Sequence, residues 1–168
     1  MRSMRSDIRI ISGGQSGADR AALDAALAAG VRCGGWCPAG RLAEDGVIPE
    51  RYPLTPLPGD QLGGGGYDQR TRRNVLDSDG TVILCFGPPM GGTETARAVA
   101  LELRRPLLLI DAATTAPSAA AQKIAEFTQA HHLHTLNVAG PRASEQPQIG
   151  PYVRAAVSAF LQEQGPKI

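Results

Sequence analysis

The sequence predicts an α/β fold in three layers, a mainly parallel central sheet between helices. Short apolar runs of strand length recur along the chain, helical periodicities fall between most of them, and glycine-rich turns join strand ends to helix starts. Strands that alternate with helices pair in parallel, because each crossover returns the chain to the same end of the sheet.

Taken in order, Ile8 to Ser12 is the first apolar run, and Leu23, Ala26, Leu27 and Gly30 then recur at i, i+3, i+4, i+7, which gives a helix with one face for the sheet. A second strand falls around Cys33 to Cys37. Residues 40–66, "GRLAEDGVIPERYPLTPLPGDQLGGGG", are dense in Gly and Pro and carry little periodicity, so a long functional or mobile loop is expected, with the glycines at 63–66 favouring mobility. "YDQRTRRNVLDSDG", 67–80, reads as a short helix running into the central strand, Thr81 to Phe86. Ala96, Val99, Ala100 and Leu103 mark the next helix, Leu107 to Asp111 a strand, 118–131 a helix and Thr135 to Ala139 a strand. The last helix opens with Pro151 in its first turn and carries Val153, Val157, Phe160 and Leu161 on one side. Residues 1–7 are expected to be disordered. The 168 residues suit one ligand-binding domain spanning 1–168, without repeat or linker.

A net charge of +1 and a pI near 7.8 argue against a nucleic-acid surface, while leaving room for a small phosphate-bearing ligand, which needs only a few directed N–H groups and an arginine. Three cysteines, one of them (Cys85) inside an apolar strand, suit a reducing compartment. "MRSMRSD" leads into "IRIIS" without the apolar core of a signal peptide, and no stretch approaches membrane-spanning length, so a cytoplasmic protein with no membrane partner is expected.

In a parallel sheet, ligands sit beyond the carboxyl ends of the strands. The loops there read "GGQSGADR" (13–20), "CPAGR" (37–41), "GPPMGGTE" (87–94), "DAATTAP" and "GPRASE" (140–145). Glycines ahead of a helix let the backbone approach a ligand and leave N–H groups aimed at it, at the positive end of the helix dipole. Gly13, Gly14 and Gly17 in one loop and Gly91 and Gly92 in another fit that role, with Pro88 and Pro89 stiffening the second and Thr93 adding a hydroxyl at the helix start. Neither loop matches the full dinucleotide fingerprint or a P-loop.

Ser16 and Asp19 stand at the spacing of a capping box, a structural role set first for Asp19, with a ligand hydroxyl contact as the alternative. Gln15 has no such structural role and is expected to read a base or pterin edge. Glu94 is either a surface carboxylate that suits the helix dipole or a partner for a ribose, amine or metal. Arg70 lacks an acidic residue at i+3 or i+4 and is read as a ligand contact, with Asn74 on an adjoining part of its face; Arg73 with Asp77 is read as a surface pair. Arg41 and Arg142 follow turns at strand ends and are anion-holding candidates, against the alternative of solvated loop arginines. Trp36 is read as core before ring-stacking. Neither Cys33 and Cys37 nor "HHLH" at 131–134 has a partner cluster at zinc spacing, so no metal site is assigned, and no Ser-His-Asp layout or carboxylate pair stands out.

Five stretches, "SGGQSGADRAALDAAL", "GGWCPAGRLAEDGVIPERYPL", "RTRRNVLDSDGT", "GGTETA" and "LNVAGPRASE", in this order and spacing resemble the "putative molybdenum carrier" family, a circularly permuted YpsA-like branch of the Rossmann-like proteins that includes the LOG phosphoribohydrolases. The similarity spans nearly the whole chain. It implies a Rossmann-like domain, assembly into homodimers or homotetramers, and binding of molybdenum cofactor, a pterin with a phosphate monoester and a dithiolene-held molybdenum, with molybdoenzymes as recipients. It implies binding more than catalysis. Its glycine-rich positions correspond to Gly13, Gly14, Gly17, Gly91, Gly92 and Thr93, and its polar ones to Gln15, Ser16, Asp19, Arg41, Arg70, Asn74 and Arg142. LOG-type enzymes place a glutamate in a G-T-x-x-E pattern, and here that position is Ala96. A nucleoside 5′-monophosphate phosphoribohydrolase therefore ranks second, beside a nucleotide-sensing module.

Overall fold

The computed structural model describes residues 8–59 and 67–163. The expectations for residues 1–7 and for the glycines at 63–66 lie outside these.

Five strands form one fully parallel sheet: β1 (Arg9–Ile11), β2 (Arg32–Gly34), β7 (Gly80–Cys85), β8 (Leu107–Asp111) and β9 (Thr135–Ala139), in the order β2-β1-β9-β7-β8. Helices α1 (Ala18–Ala28), α4 (Pro117–Ala130) and α5 (Ile149–Glu163) pack together on one face, with α5 in the middle. The other face carries α2 (Tyr67–Leu76) and α3 (Gly91–Glu102), packed on each other. Right-handed crossovers give this division, since the connections β1→β2 and β8→β9 run one way along the sheet and β7→β8 runs the other.

β7 shows how period-two alternation serves both faces. Val82 and Leu84 enter the large core under α1, α4 and α5, where Ile124, Val153 and Phe160 also sit; Ile83 and Cys85 turn to the other face, against Ala96. Full burial of one such side chain contributes about 1.5–3 kcal/mol. The predicted faces of α3 and α5 are buried, with Leu103 only partly so, whereas Leu27 of α1 is 40 % exposed, because α1 rests on α5 as well as the sheet and its contact stripe runs through Ala22, Leu23 and Ala26.

The second predicted strand is broken. Gly35 has φ +130 and separates β2 from the two-residue β3 (Trp36–Cys37), which pairs with β6 (Thr55–Pro56) outside the main sheet. The described part of the predicted loop, 40–59, is not featureless. β4 (Leu42–Ala43) and β5 (Gly46–Val47) form a small hairpin, and Ile48, Tyr52 and Leu54 are buried against Leu23 and Cys37.

Counted from β9, the strand order becomes 3-2-1-4-5, the Rossmann order with the chain started at a different strand. Its topological switch point lies between β9 and β7, whose following loops lead to helices on opposite faces.

Candidate functional site

The β1–α1 loop is held by its own side chains. Arg70 Nη1 donates to the Gly13 carbonyl at 2.9 Å, and a Cβ on Gly13 would meet that side chain at 2.5 Å. Gly14 and Gly17 have φ +80 and +81; a Cβ would run into Leu54 at the first and into the Pro141 carbonyl and Ala143 amide at the second. Gln15 N–H donates to Asp19 Oδ2 at 3.3 Å and Ser16 N–H to Gln15 Oε1 at 3.0 Å. No capping box forms. The N-cap of α1 is Gly17, without a side-chain bond, because Ser16 lies one residue too early and gives its hydroxyl to Glu44. Asp19 does reach back, but to Gln15.

The β7–α3 loop differs. Gln146 brackets Phe86 with both ends of its amide, Asp111 Oδ1 accepts from Gly87 N–H at 2.9 Å, and the turn is fixed from outside. Helix α3 begins at Gly91 after an extended Met90, so Thr93 lies inside the first turn instead of capping it. The Met90 carbonyl takes the N–H groups of Thr93 and Glu94. The amides of Gly91 and Gly92 have no recorded partner among the described residues, and a Cβ on Gly92 would meet open space. These two donors stand at the positive end of α3.

The third wall is the β9–α5 loop. Arg142 Nε donates to Glu145 Oε1 at 2.7 Å and lies 3.8 Å from Glu44 Oε1. Glu44, from the β4–β5 turn, accepts from the Ser16 and Ser144 hydroxyls and from Ser144 N–H at 3.2 Å, while its own N–H donates to Gln15 Oε1 at 2.9 Å. Burial pushes the Glu44 carboxyl up, but the bonds from Ser144 and Ser16, with Arg142 nearby, outweigh it and hold the group below its ordinary value. Asp45 is paired bidentately with Arg20 at 2.6 and 2.8 Å. The hairpin thus straps the first and third loops together.

Between the loops, at the switch point, lies an open cavity of about 240 Å³. Of the predicted residues it brings together Gly13, Gln15, Asp19, Arg70, Asn74, Gly92, Thr93 and Arg142. Tyr67, Asp68, Thr95, Ala96, Asn137 and Glu145 also line it. Arg70 and Asp19 are buried, 3.8 Å apart, at its base. Burial pushes the Asp19 carboxyl above the usual carboxylate range, against the pull of Arg70. Both recorded bonds of the Gln15 side chain use Oε1, which leaves its Nε2 as a donor at the cavity wall. The lining therefore offers cationic and amide donors together with carboxylate acceptors, a set able to hold an anion at one end and N–H groups of a ring at the other.

Several predicted residues do other work. Arg41 donates to the carbonyls of Ile48, Pro49, Tyr52 and Leu54, so its guanidinium is spent on folding the 48–54 segment and does not line the cavity. Glu94 pairs with Arg97 at 2.5 Å on the surface of α3. Asn74 lines the cavity yet uses both amide atoms on the Trp36 backbone, at 2.8 and 3.0 Å. Arg73 and Asp77 both turn to Trp36, one stacked 4.0 Å from its ring and the other accepting from Nε1 at 2.6 Å. Gly14, Ser16 and Gly17 shape the loop without lining the cavity, and Gly91 does not line it either. Glu44 and Glu145 escaped sequence reading. Glu44 is 28 residues from Ser16 and 100 from Ser144, separations no local pattern reveals, although "GPRASE" did carry Glu145.

No group of three or more potential metal ligands exists among the described residues. Cys85 is buried and its thiol is pushed up to about 11, by burial first and Asp111 second.

Strand order and cavity together define a permuted Rossmann-like protein with a ligand crevice at its switch point. The chain belongs to the circularly permutated YpsA SLOG family, whose model matches residues 10–161. It is also similar to a solved structure, the "Putative molybdenum carrier protein" of Syntrophus aciditrophicus SB, at 43% identity and a TM-score of 0.86, over 93% of this chain and 96% of that one. No curated protein matches. Among the described residues no helix is long and apolar enough to cross a membrane.

Proposed function

We propose that the protein binds molybdenum cofactor in the switch-point cavity and serves as its carrier or store in the cytoplasm, without turning it over. The observation that carries this reading is the start of α3, where among the described residues the amides of Gly91 and Gly92 have no partner and Gly92 lines a cavity that Arg142 and Arg70 also line. Such a corner suits a phosphate monoester. Gln15 Nε2 and the carboxylate of Asp68 suit the amide and amino groups of a pterin. The similarity to a protein described as a molybdenum carrier supports the same ligand.

The donor set fits the organic part of the cofactor and not its metal. Among the described residues the lining contains no cysteine or histidine, so the protein would grip phosphate and pterin and leave the molybdenum free of protein thiolates. Ala96 supports binding over hydrolysis. It is buried, lines the cavity, and puts a methyl group where the related hydrolases carry a carboxylate.

The test is retention of the cofactor. Protein purified from a host that makes molybdenum cofactor should release a fluorescent oxidised pterin, and protein from a host unable to make it should not; equal background signals from both would refute the reading. A second reading, a nucleoside 5′-monophosphate ligand, is favoured by the position of the cavity, since the switch point is where this sheet order holds nucleotides. Release of free base from AMP, abolished in Arg70→Ala, would promote it.

A further inference from the structure

The place expected for the ligand's anion is already approached by a carboxylate of the protein. Glu145 lines the cavity, its Oε1 accepts from Arg142 Nε at 2.7 Å, and its Oε2 lies 3.7 Å from where a Cβ on Gly91 would stand. The guanidinium and the helix start assigned to the phosphate thus face one and the same side chain. Neither the Gly91 nor the Gly92 amide bonds to it among the described residues, so the carboxylate stands beside Gly91 without satisfying these donors. Glu44, the other carboxylate near Arg142, cannot leave as easily, being tied to Ser16 and Ser144. Glu145 is 39 % exposed in its side chain, and among the described residues its carboxylate is tied by Arg142, three residues away.

We propose that Glu145 is a built-in competitor for the ligand's phosphate, a specificity-determining residue that must swing off Arg142 before an anion can settle against Gly91 and Gly92. This rests on the cavity being a phosphate site. Two anions a few ångströms apart repel, so an incoming group has to outbid the carboxylate. A phosphate dianion does so, because it can take two bonds from Arg142 and accept from both free amides at once. A carboxylate or halide, with fewer acceptor positions, gains less from the exchange and is turned away. Glu145 therefore selects for phosphate among the anions that a helix start and an arginine would otherwise attract.

Removing this cavity-lining carboxylate should tighten anion binding, not weaken it. Glu145→Gln keeps an oxygen for Arg142 Nε and drops the charge. Calorimetric titration of inorganic phosphate at fixed ionic strength into wild-type, Glu145→Gln and Arg142→Ala proteins is the test. The expected result is at least about fivefold tighter binding by Glu145→Gln, a narrowed preference for phosphate over acetate, and weakened binding by Arg142→Ala. Equal or weaker binding by Glu145→Gln, with Arg142→Ala still impaired, overturns the competitor and leaves the phosphate site standing. Phosphate bound by neither wild-type nor Glu145→Gln protein overturns both the competitor and this placement of the phosphate, and pterin retention then judges the carrier reading separately.

Discussion

The two glycine-rich loops look alike in sequence and serve opposite ends. In the β1–α1 loop the space each glycine leaves is filled by the protein: Arg70 against Gly13, Leu54 against Gly14, Pro141 and Ala143 against Gly17. Two of its amides are spent on Asp19 and Gln15. In the β7–α3 loop the space beside Gly87 and Gly92 is open and the amides of Gly91 and Gly92 have no partner among the described residues. The first loop needs glycine for its own packing; the second leaves room for something else. A glycine-rich turn therefore marks a close approach without saying whether the approaching atoms belong to the chain or to a ligand.

The same substitution made in each loop tests that contrast most directly. Gly17→Val should have the largest effect, a loss of about 3 kcal/mol or more of folding stability by urea denaturation, since a β-branched residue at φ +81 is strained and its Cβ would stand within 2.9 Å of three backbone atoms. A loss below about 1 kcal/mol would mean that the loop is not packed as described. Gly92→Val should do the reverse, shifting stability by no more than about 0.5 kcal/mol while lowering phosphate affinity by roughly tenfold in calorimetry. Unchanged affinity in that folded variant would put the ligand elsewhere.

Glu44 sharpens the comparison, because it ties the filled loop to the third wall. Its carboxyl is held below its ordinary 4.5 in the fold, so its contribution is present above about pH 4.5 and is lost as pH falls through the lowered value. Glu44→Gln should cost about 1 kcal/mol at neutral pH and flatten the fall of urea midpoint with pH below about pH 5. A profile identical to that of the wild type would remove Glu44 from the strap. The smallest effect is expected from Glu94→Gln, which should leave phosphate affinity within about twofold, since Glu94 spends its charge on Arg97 at the surface.

Much of the architecture was legible from residue pattern. The parallel sheet follows from apolar runs such as Thr81 to Phe86 alternating with helical stripes such as Ala96, Val99, Ala100 and Leu103. The break at Gly35 and the packing of Ile48, Tyr52 and Leu54 were not, because neither depends on a local period: one is a single backbone angle, the other a docking onto Leu23 and Cys37. Arg41 and Arg70 illustrate the same limit at the site. Both are arginines near strand ends or helix starts, yet one closes on four carbonyls of its own segment and the other reaches 57 residues back to Gly13 at the cavity base.

By itself, then, the sequence determined where the five strands of the main sheet and the five helices fall, that those strands pair in parallel, and which loops leave their carboxyl ends, because hydrophobic period and glycine placement act over one or two turns of chain. Only the tertiary structure decided which amides remain unpaired, which arginines are spent on the fold, and that Glu145 stands between Arg142 and the start of α3. Those outcomes are settled by which distant groups meet, and a hydrogen-bond donor has no way of showing, in its own neighbourhood of sequence, whether a partner a hundred residues away will arrive to take it.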